Sequence, residues 1–351
     1  MEPHTQEAEA RQASPTTNPT ELIRRRDGLY ASDLLVTAIG WLDFFHWLAE
    51  HPADLETICA SLHIAPRPTD VMLTLFTAMG LLKVENNVYR LTPLSKEFLT
   101  ESSLCDLRPY FASMKGRSVC LDILEVLRTD KPFAWPSIKT IAKDWMIAMG
   151  VKEFAETFTA GMDGRGAYLA PIMAQRLDCT NHRKFLDIAG GSGVYACGVV
   201  SQHPHMQAAV LEQPPVDEVA RAAIAKRGLL DRVSVIASDM FADPFPVNFD
   251  IHFYSHVLHD WNEATAQTLL RKSFEALPPG GLVVIHDGHL YADKTGPLEV
   301  AEFSVLLMLT TEGRCYSIGE LQDMLENIGF VDVQYVPTDV YRSLIMARKV
   351  A

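Results

Sequence analysis

The chain has 351 residues, 48% of them hydrophobic, and a formal net charge of −13 at pH 7. This length exceeds the usual size of one hydrophobic core and predicts two domains. The acidic balance argues against a nucleic-acid partner, because such binding depends on Lys and Arg that neutralise phosphates. No run approaches the roughly 18 apolar residues of a membrane helix, and no hydrophobic stretch typical of a signal peptide opens the chain. We therefore expect a cytoplasmic protein without nucleic-acid or membrane partners.

The N-terminal third predicts a small helical domain. Residues 1–25 are rich in Glu, Pro, Thr and Gln without an apolar period, which predicts a disordered tail. Residues 26–110 then predict short helices, a hairpin and a further helix capped by Thr92, the order of a winged-helix domain. Residues 33–51 are apolar around much of their circumference, so we expect them to form a helix buried against a large surface such as a second subunit.

A winged helix raises the alternative of a DNA-binding regulator. Residues 69–80 would enter the major groove, yet they carry Asp70 and only the flanking Arg67 as a cation. Phosphate contacts would therefore be few. Dimerisation is the favoured use of this domain.

Residues 111–351 are predicted to hold a helical linker and a Rossmann-like domain. Short apolar runs alternate there with helix-like segments, as in a doubly wound parallel sheet. These runs are KFLDIAGG, QAAVLEQ, RVSVIASDMF, FDIHFYSHVL and GLVVIHDG. The closing runs VDVQYV and SLIMARK predict a tight hairpin that adds one antiparallel strand. The fold class is thus α/β, with a mostly parallel seven-stranded sheet.

A glycine loop, LDIAGGSGVYA, follows the first of these strands. It places Asp187 at the end of the strand and Gly190, Gly191 and Gly193 in the turn before a helix. The loop matches G-x-G-x-x-A, so an NAD-dependent dehydrogenase is an alternative. Glu212, nineteen residues after Gly193, stands where an acid binds ribose hydroxyls and supports either nucleoside cofactor.

Charge favours one of the two cofactors. The carboxylate of Asp187 would repel a pyrophosphate and attract an ammonium or sulfonium group. S-adenosylmethionine carries both cations and no phosphate, so we expect it as the cofactor. Asp239 follows the third strand and offers a carboxylate to the adenine amino group, while Met240 and Phe241 offer apolar surface. Ser255, which ends the fourth strand, completes the expected cofactor contacts.

The motifs LDIAGGSG, VLEQPP, SDMF, HVLHDW and TTEGRCYS, behind a winged-helix module, resemble a known family. It is the class I S-adenosylmethionine-dependent O-methyltransferases of the hydroxyindole, caffeic acid and bacterial polyketide type, and the resemblance covers residues 30–350. It implies a homodimer whose N-terminal modules are swapped between subunits, and a small aromatic acceptor of secondary metabolism. It also implies cofactor contacts from Gly190, Glu212, Asp239 and Met240, and acceptor contacts from Phe158 and Met162. Ala189 replaces a usual glycine of the family.

The stretch FYSHVLHDW ends the fourth strand, and open parallel sheets bind ligands at the carboxyl ends of their strands. O-methylation of a phenol removes a proton with a pKa near ~10, and histidine, with a pKa of about 6.5, suits that task at neutral pH. In the family this general base is the histidine of H-D-W, here His259. Asp260 is then expected to cap the helix that begins near Asn262.

Asp287 ends the fifth strand at the position where the family carries a Glu against the histidine, so we expect it to orient His259. The second acid of the family falls on Cys315, a departure that leaves open how the base is supported. Glu312, three residues earlier, is a candidate replacement. Acceptor contacts are also expected from His256, His289 and Glu312.

A metal site is a further alternative. Histidines and carboxylates crowd two neighbouring strands and include His256, His259, His286, His289, Asp260 and Asp287. Iron or zinc there could activate an enolisable keto acid or an aromatic carbon for C-methylation. Alternation along the strands turns some of these side chains to opposite faces, so no metal is assigned.

Overall fold

The computed structural model describes residues 17–101, 103–133 and 145–350, which form a helical N-terminal module and an α/β domain. Helix α1, Thr20–Asp27, begins inside the segment predicted as a disordered tail. That prediction is therefore wrong for residues 20–25, whereas residues 1–16 lie outside the described part. The arginines in the last turn of α1 complement the negative end of its dipole.

The N-terminal module continues with seven helices and a hairpin. They are α2 (Ala31–Gly40), α3 (Phe44–Glu50), α4 (Leu55–Leu62), α5 (Pro66–Ala78), β1 (Leu82–Glu85), β2 (Val88–Leu91), α6 (Pro93–Phe98), α7 (Arg108–Ala112) and α8 (Ser118–Thr129). Asn86 and Asn87 make the tight turn between the strands with φ of 52° and 63°. The predicted hairpin and the Thr92 cap of α6 are confirmed.

The helix predicted over residues 33–51 is broken into α2 and α3. Asp43 adopts a left-handed conformation with φ of 47°, which Asp tolerates better than most residues, and its carboxylate pairs with Arg108 at 3.0 Å. The break turns Phe44 and Phe45 toward Phe76, with ring centroids 5.8 and 5.2 Å from it. Packing of these three rings in the core of the module outweighs continuation of the helix.

The α/β domain follows two helices, α9 (Trp145–Met149) and α10 (Lys152–Arg176). Its elements are β3 (Lys184–Ile188), α11 (Val194–Gln202), β4 (Gln207–Glu212), α12 (Val216–Lys226), β5 (Val233–Ala237), β6 (Ile251–Ser255), a 3-10 turn (Leu258–Asp260), α13 (Glu263–Ala276), β7 (Leu282–Asp287), α14 (Leu298–Thr310), α15 (Ile318–Ile328), β8 (Phe330–Pro337) and β9 (Ser343–Lys349).

These strands form one seven-stranded sheet in the order β5-β4-β3-β6-β7-β9-β8. Only β9 runs antiparallel to its neighbours, as the closing hairpin predicted. Because β3 pairs with both β4 and β6, the winding direction reverses there. A crevice at the carboxyl ends of strands beside such a reversal is where open α/β sheets bind ligands.

Helix α14 joins the two parts of the molecule. It is buried along most of its length and packs against α1, α2, α5 and α8 of the module. Helix α5, which a DNA-binding winged helix would present to a major groove, is thus covered, and Val71, Met72 and Phe76 are at most 2% exposed.

Within the described ranges, no single helix is long and apolar enough to cross a membrane. One bent pair, Thr20–Gly40 with Phe44–Glu50, passes by length and composition only, with 59° between its two parts.

Candidate active site

A cavity lies at the reversal of the sheet. Most of the predicted site residues line it: Phe158, Met162, Asp187, Gly190, Gly191, Glu212, Asp239, Met240, Phe241, Ser255, His256 and His259. Helix α14 closes one wall with Phe303, Leu306, Leu307 and Thr310. The sheet supplies one end of the cavity through its strand ends, and helices α10 and α14 supply the other walls.

Asp187 ends β3 as a fully buried carboxylate. Its Oδ2 accepts a hydrogen bond from the Ala196 amide at 3.2 Å, while its Oδ1 has no partner among the described residues. Burial raises the pKa of Asp187 to about 8. A Cβ on Gly190 would lie 2.4 Å from Asp187 Cγ, so only glycine fits beside this side chain. An unpaired buried carboxylate oxygen fits a cationic ligand.

Glu212 and Asp239 continue the acidic lining at the next two strand ends. Glu212 accepts from the Gly191 amide at 2.9 Å and from the Gln213 amide at 3.1 Å, and burial raises its pKa to about 7. Asp239 Oδ1 accepts from the Phe241 amide at 2.8 Å. Backbone amides thus hold both carboxylates, and the Gly191 amide also joins Glu212 to the glycine loop. We call Asp187, Glu212 and Asp239, with the glycine loop, the cofactor end of the cavity.

Gly193 does not line the cavity, although it was predicted to contact the cofactor. With φ of 73° it opens α11, and a Cβ there would lie 2.9 Å from Val210 and 3.1 Å from Ile224. Glycine is thus required for close packing of α11 on β4 and α12. Ala189, the departure from the usual glycine, has φ of 52°.

His259 lies at the opposite end of the cavity. Its Nδ1 is 2.7 Å from Oδ1 of Asp287, which also accepts from the Gly288 amide at 2.8 Å. The predicted contact is confirmed, and the shorter Asp side chain reaches the imidazole. Burial opposes a charge on His259, but the carboxylates of Asp287 and Asp260 outweigh it and raise its pKa. Burial likewise opposes the charge of Asp287, but His259 outweighs it and lowers that pKa.

Asp260 is not the helix cap that was expected. Asn262 caps α13 by accepting from the Thr265 amide at 3.1 Å. The 3-10 turn instead brings Oδ1 of Asp260 to 3.5 Å from Nε2 of His259, where burial raises the pKa of Asp260 to about 6. The base therefore stands between two carboxylates.

His256 follows β6 in a left-handed conformation with φ of 57° and lines the cavity. Its Nε2 accepts from Nε of Arg342 at 2.9 Å, and Nη2 of Arg342 donates to Asp27 at 2.6 Å. Because Arg only donates, the proton of neutral His256 is on Nδ1, 3.1 Å from Ser255 Oγ. Burial, followed by the charge of Arg165, lowers the pKa of His256 well below its usual value. A network thus joins the strand end to α1. We call His256, His259 and Arg165, together with Arg342 and Asp27 of this network, the acceptor end of the cavity.

His289 and Glu312 lie away from the cavity, so their predicted acceptor contacts are wrong. His289 is buried behind the site, with Nδ1 2.7 Å from Ser343 Oγ. Glu312 is exposed and accepts from Asn262 at 3.4 Å. Glu312 therefore does not replace the acid lost at Cys315, because its side chain is exposed and faces Asn262.

Comparison with known proteins identifies the family. A model of the O-methyltransferase domain matches residues 125–331, and a model of the O-methyltransferase dimerisation domain matches residues 24–101. The chain belongs to the O-methyltransferase family. This methyltransferase is 31% identical to 3-hydroxy-5-methyl-1-naphthoate 3-O-methyltransferase of Streptomyces sahachiroi, over 91% of each chain.

Two further relatives extend the comparison. L-tyrosine C(3)-methyltransferase of Streptomyces lavendulae is 29% identical over 82% of this chain and 81% of its own. A crystal structure of an O-methyltransferase family 2 protein from Planctomyces limnophilus, in complex with apigenin, superposes on this chain with a TM-score of 0.87. The two sequences are 31% identical. The match covers 97% of this chain and 98% of that chain.

The methyltransferase uses S-adenosylmethionine, and its cofactor end fits this molecule. The unpaired Oδ1 of Asp187, beside which only glycine fits at position 190, suits a cationic group. Glu212 and Asp239 suit hydroxyl and amino donors. The dehydrogenase and DNA-binding alternatives gain no support from these comparisons.

The metal-assisted alternative also lacks support. Among the residues that the structure describes, no group of three or more His, Cys, Asp or Glu is arranged to hold a metal ion. Two nitrogens of the predicted cluster have protein partners: Nδ1 of His286 is 3.0 Å from Ser255 Oγ, and Nε2 of His256 accepts from Arg342.

Sequence reasoning missed several polar residues that line the cavity, among them Arg165 of α10 and Tyr195 of α11. Arg165 follows the predicted FTAGM segment closely, yet no motif marks it. Tyr195 lies in the glycine-loop sequence, but only the glycines and Asp187 of that sequence were predicted to contact a ligand.

Proposed function

We propose that this methyltransferase methylates a hydroxyl group on a small aromatic acceptor, with His259 as general base and Asp287 as its orienting acid. The observation that carries the proposal is the 2.7 Å contact between Nδ1 of His259 and Asp287, across the cavity from the unpaired carboxylate oxygen of Asp187. One end thus suits a cation, and the other suits removal of a proton.

The residues act on the proton and on the positions of the two reactants. S-adenosylmethionine supplies an electrophilic methyl group on a sulfonium. Asp287 keeps the Nδ1 proton of His259, so Nε2, which Asp260 approaches only to 3.5 Å, is the nitrogen that accepts the acceptor's hydroxyl proton. The two flanking carboxylates stabilise the imidazolium that results. Removing this proton makes the acceptor oxygen a better nucleophile for in-line attack on the methyl carbon.

The remaining site residues are assigned to the two reactants. Gly190, Gly191, Glu212, Asp239, Met240, Phe241 and Ser255 would hold the cofactor with Asp187. Phe158, Met162 and His256 would contact the acceptor, because they line the cavity toward His259. Apolar residues of α14 exclude water from the reacting groups.

The relatives support an aromatic acceptor of secondary metabolism. One is named for a hydroxynaphthoate, and one structure holds apigenin. The relative named for C(3) of tyrosine alters a ring carbon beside a phenol. Because a phenolate is nucleophilic at oxygen and at that carbon, an assay must locate the new methyl group.

The proposed assembly is a homodimer through residues 26–110, with residues 111–351 forming the linker and catalytic domain. A dimerisation-domain match covers residues 24–101. Large apolar side chains are also exposed on residues 26–110: Leu29, Trp41, Leu94, Leu104, Leu107 and Tyr110. Such a concentration of exposed apolar residues marks an interaction surface. Sedimentation of purified protein at micromolar concentration is expected to give twice the chain mass. A cytoplasmic location remains a prediction from composition.

The test of function is an assay of purified protein with S-adenosylmethionine and a panel of phenols. We expect S-adenosylhomocysteine to form and mass spectrometry to locate the methyl group on oxygen. Calorimetry with S-adenosylhomocysteine is the companion measurement. Absence of any affinity for it would contradict the function.

A further inference from the structure

The cavity has opposite charge at its two ends. Asp187, Glu212 and Asp239 line the cofactor end, whereas Arg26 and Arg165 line the acceptor side. A cationic cofactor explains the carboxylates, but it does not explain a guanidinium in the same cavity.

Arg165 is half-buried, and its Nε is fully buried, yet it forms no salt bridge with a carboxylate among the described residues. Its Nε has no hydrogen-bond partner among the described residues. Asp27, the nearby acid, is held by Arg342 at 2.6 Å. Burial lowers the pKa of Arg165, and Arg342 and Arg26 add to this effect. A buried charge without a partner costs free energy, so its retention indicates a ligand.

Tyr195 offers a second unsatisfied group beside Arg165. Its side chain is 6% exposed, and its hydroxyl lies near Ser255 without forming a well-oriented hydrogen bond. Its charge interaction with Arg165 shows that the two groups are neighbours. A guanidinium and a phenol hydroxyl together provide several donors and no second charge.

Both groups lie near the base. After burial, the charge of Arg165 is the largest cause that lowers the pKa of His256, and it acts on His259 and Asp260 as well. His256 and His259 have ring centroids 5.6 Å apart. A ligand group bound by Arg165 is therefore within the length of a small aromatic molecule from Nε2 of His259.

We propose that Arg165 and Tyr195 bind a carboxylate of the acceptor, so that the substrate class is hydroxylated aromatic carboxylic acids. This inference rests on the proposed methyl transfer to a hydroxyl. Arg matches a carboxylate with two parallel hydrogen bonds, and the charge of the guanidinium strengthens them. The carboxylate fixes the ring while His259 faces the hydroxyl. The α-carboxylate of the cofactor has the same chemistry and is the competing source.

The first test compares acceptors on the unaltered enzyme. Hydroxybenzoates and hydroxynaphthoates are each paired with the phenol that lacks the acid and with the methyl ester, and kcat/KM is measured. Binding of each compound to the S-adenosylhomocysteine complex is measured by calorimetry, which gives an affinity even for an acceptor that is not methylated. We expect at least one acid to exceed its phenol and ester by about 10- to 100-fold, the range of a charge-assisted hydrogen bond.

The second test compares variants. Arg165→Met is expected to remove the preference for the acid, and Arg165→Lys to retain part of it. Arg176→Met changes an exposed arginine of the same helix and is expected to leave the preference within about twofold of the unaltered enzyme.

Three outcomes would overturn the proposal. Acids, esters and phenols could bind equally well, or no acid could bind at all. Arg165→Met could also weaken S-adenosylhomocysteine as strongly as the acid, which would assign Arg165 to the cofactor's carboxylate. In each case, continued methylation of a plain phenol would leave the proposed function standing, whereas loss of cofactor binding by the unaltered enzyme would refute both.

Discussion

The two ends of the cavity are built in different ways. At the cofactor end, Asp187, Glu212 and Asp239 lie at or just after the ends of three separate strands, and each accepts hydrogen bonds from backbone amides. At the acceptor end, Asp27, Arg165 and Arg342 come from distant parts of the chain. The cofactor end is thus formed largely by local backbone geometry, and the acceptor end by tertiary packing of charged side chains.

This difference explains why a common cofactor and varied acceptors can share one fold. Strand ends and tight turns form a site that depends little on the helices above it. The acceptor end depends on α1, α10, α14 and the segment before β9, all of which can change without altering the sheet. Five predictions test this difference, beginning with the largest expected effect.

Replacing the base is expected to affect the acceptor end alone. His259→Ala should lower kcat by about 10²- to 10⁴-fold, the range for a general base. S-adenosylhomocysteine affinity, measured by calorimetry, should stay within about twofold. The control is His51→Ala, which removes an exposed histidine of the N-terminal module. Equal loss of turnover and cofactor affinity would show that the two ends are not independent.

Asp287→Asn should change the pH dependence of the reaction. Activity needs neutral His259, and the raised pKa of His259 places the rise in kcat above pH 6.5. Removing the charge of Asp287 lowers that pKa, so the rise should move to lower pH while the plateau falls by about 10- to 100-fold. A fall without any shift in the profile would mean that Asp287 is only structural.

The cofactor end should bind more tightly as pH rises. In the free protein the pKa values of Asp187 and Glu212 are about 8 and 7, and a bound cation favours their charged forms. Binding of S-adenosylmethionine should therefore release protons and strengthen between pH 6 and 8, by up to about tenfold per pH unit for each proton released. Asp187→Asn should flatten this slope, as measured by calorimetry in buffers of different ionisation enthalpy. Binding that is independent of pH would contradict these pKa values.

The same groups affect stability with a defined sign. Each carboxyl has a folded-state pKa above its unfolded value, so its contribution to the free energy of unfolding is full at low pH and is lost as pH rises through the folded pKa. The free protein should therefore lose stability progressively between about pH 4, the unfolded pKa, and pH 8. The increase in Tm caused by S-adenosylmethionine should grow between about pH 6 and 8.

Ala189→Gly is expected to have the smallest effect. Ala189 has φ of 52°, which costs an L residue about 1 kcal/mol more than glycine, although glycine loses more chain entropy on folding. The net gain in the free energy of unfolding should be about 0.5 kcal/mol in urea denaturation. Ala222→Gly, at an exposed position inside α12, should instead cost about 1 kcal/mol. Equal losses in both variants would show that position 189 is not strained.

The fold was predictable because its signals are local. Apolar runs separated by helix-like segments predicted the parallel sheet, and a hairpin near the C terminus predicted the antiparallel strand. Asp187 and Glu212 were predicted as site residues because each lies at the end of an apolar run that forms a strand. Gly193 was placed correctly but given the wrong role, since a glycine pattern does not distinguish a nearby ligand from a nearby Val210.

The acceptor end was only partly predictable. His259 and Asp287 lie in motifs, but Arg165 lies on a helix whose apolar residues are spread around its circumference. Asp260 was predicted to cap a helix, but a 3-10 turn follows β6 and brings its carboxylate to His259 instead. His289 was misassigned because alternation no longer gives the direction of a side chain once a strand has ended. The break between α2 and α3 follows Gly40, but the apolar residues continue through it, so the sequence pattern predicted one helix.

The buried pair between Asp27 and Arg342 limits how related enzymes can be recombined. These side chains are 3% and 4% exposed and lie at opposite ends of the chain. A hybrid that takes its first helix from one parent and its last strands from another would leave a charge stranded unless both parents carry the pair. A hybrid enzyme should therefore acquire the acceptor preference of one parent only when about the first 30 residues and the C-terminal segment both come from that parent.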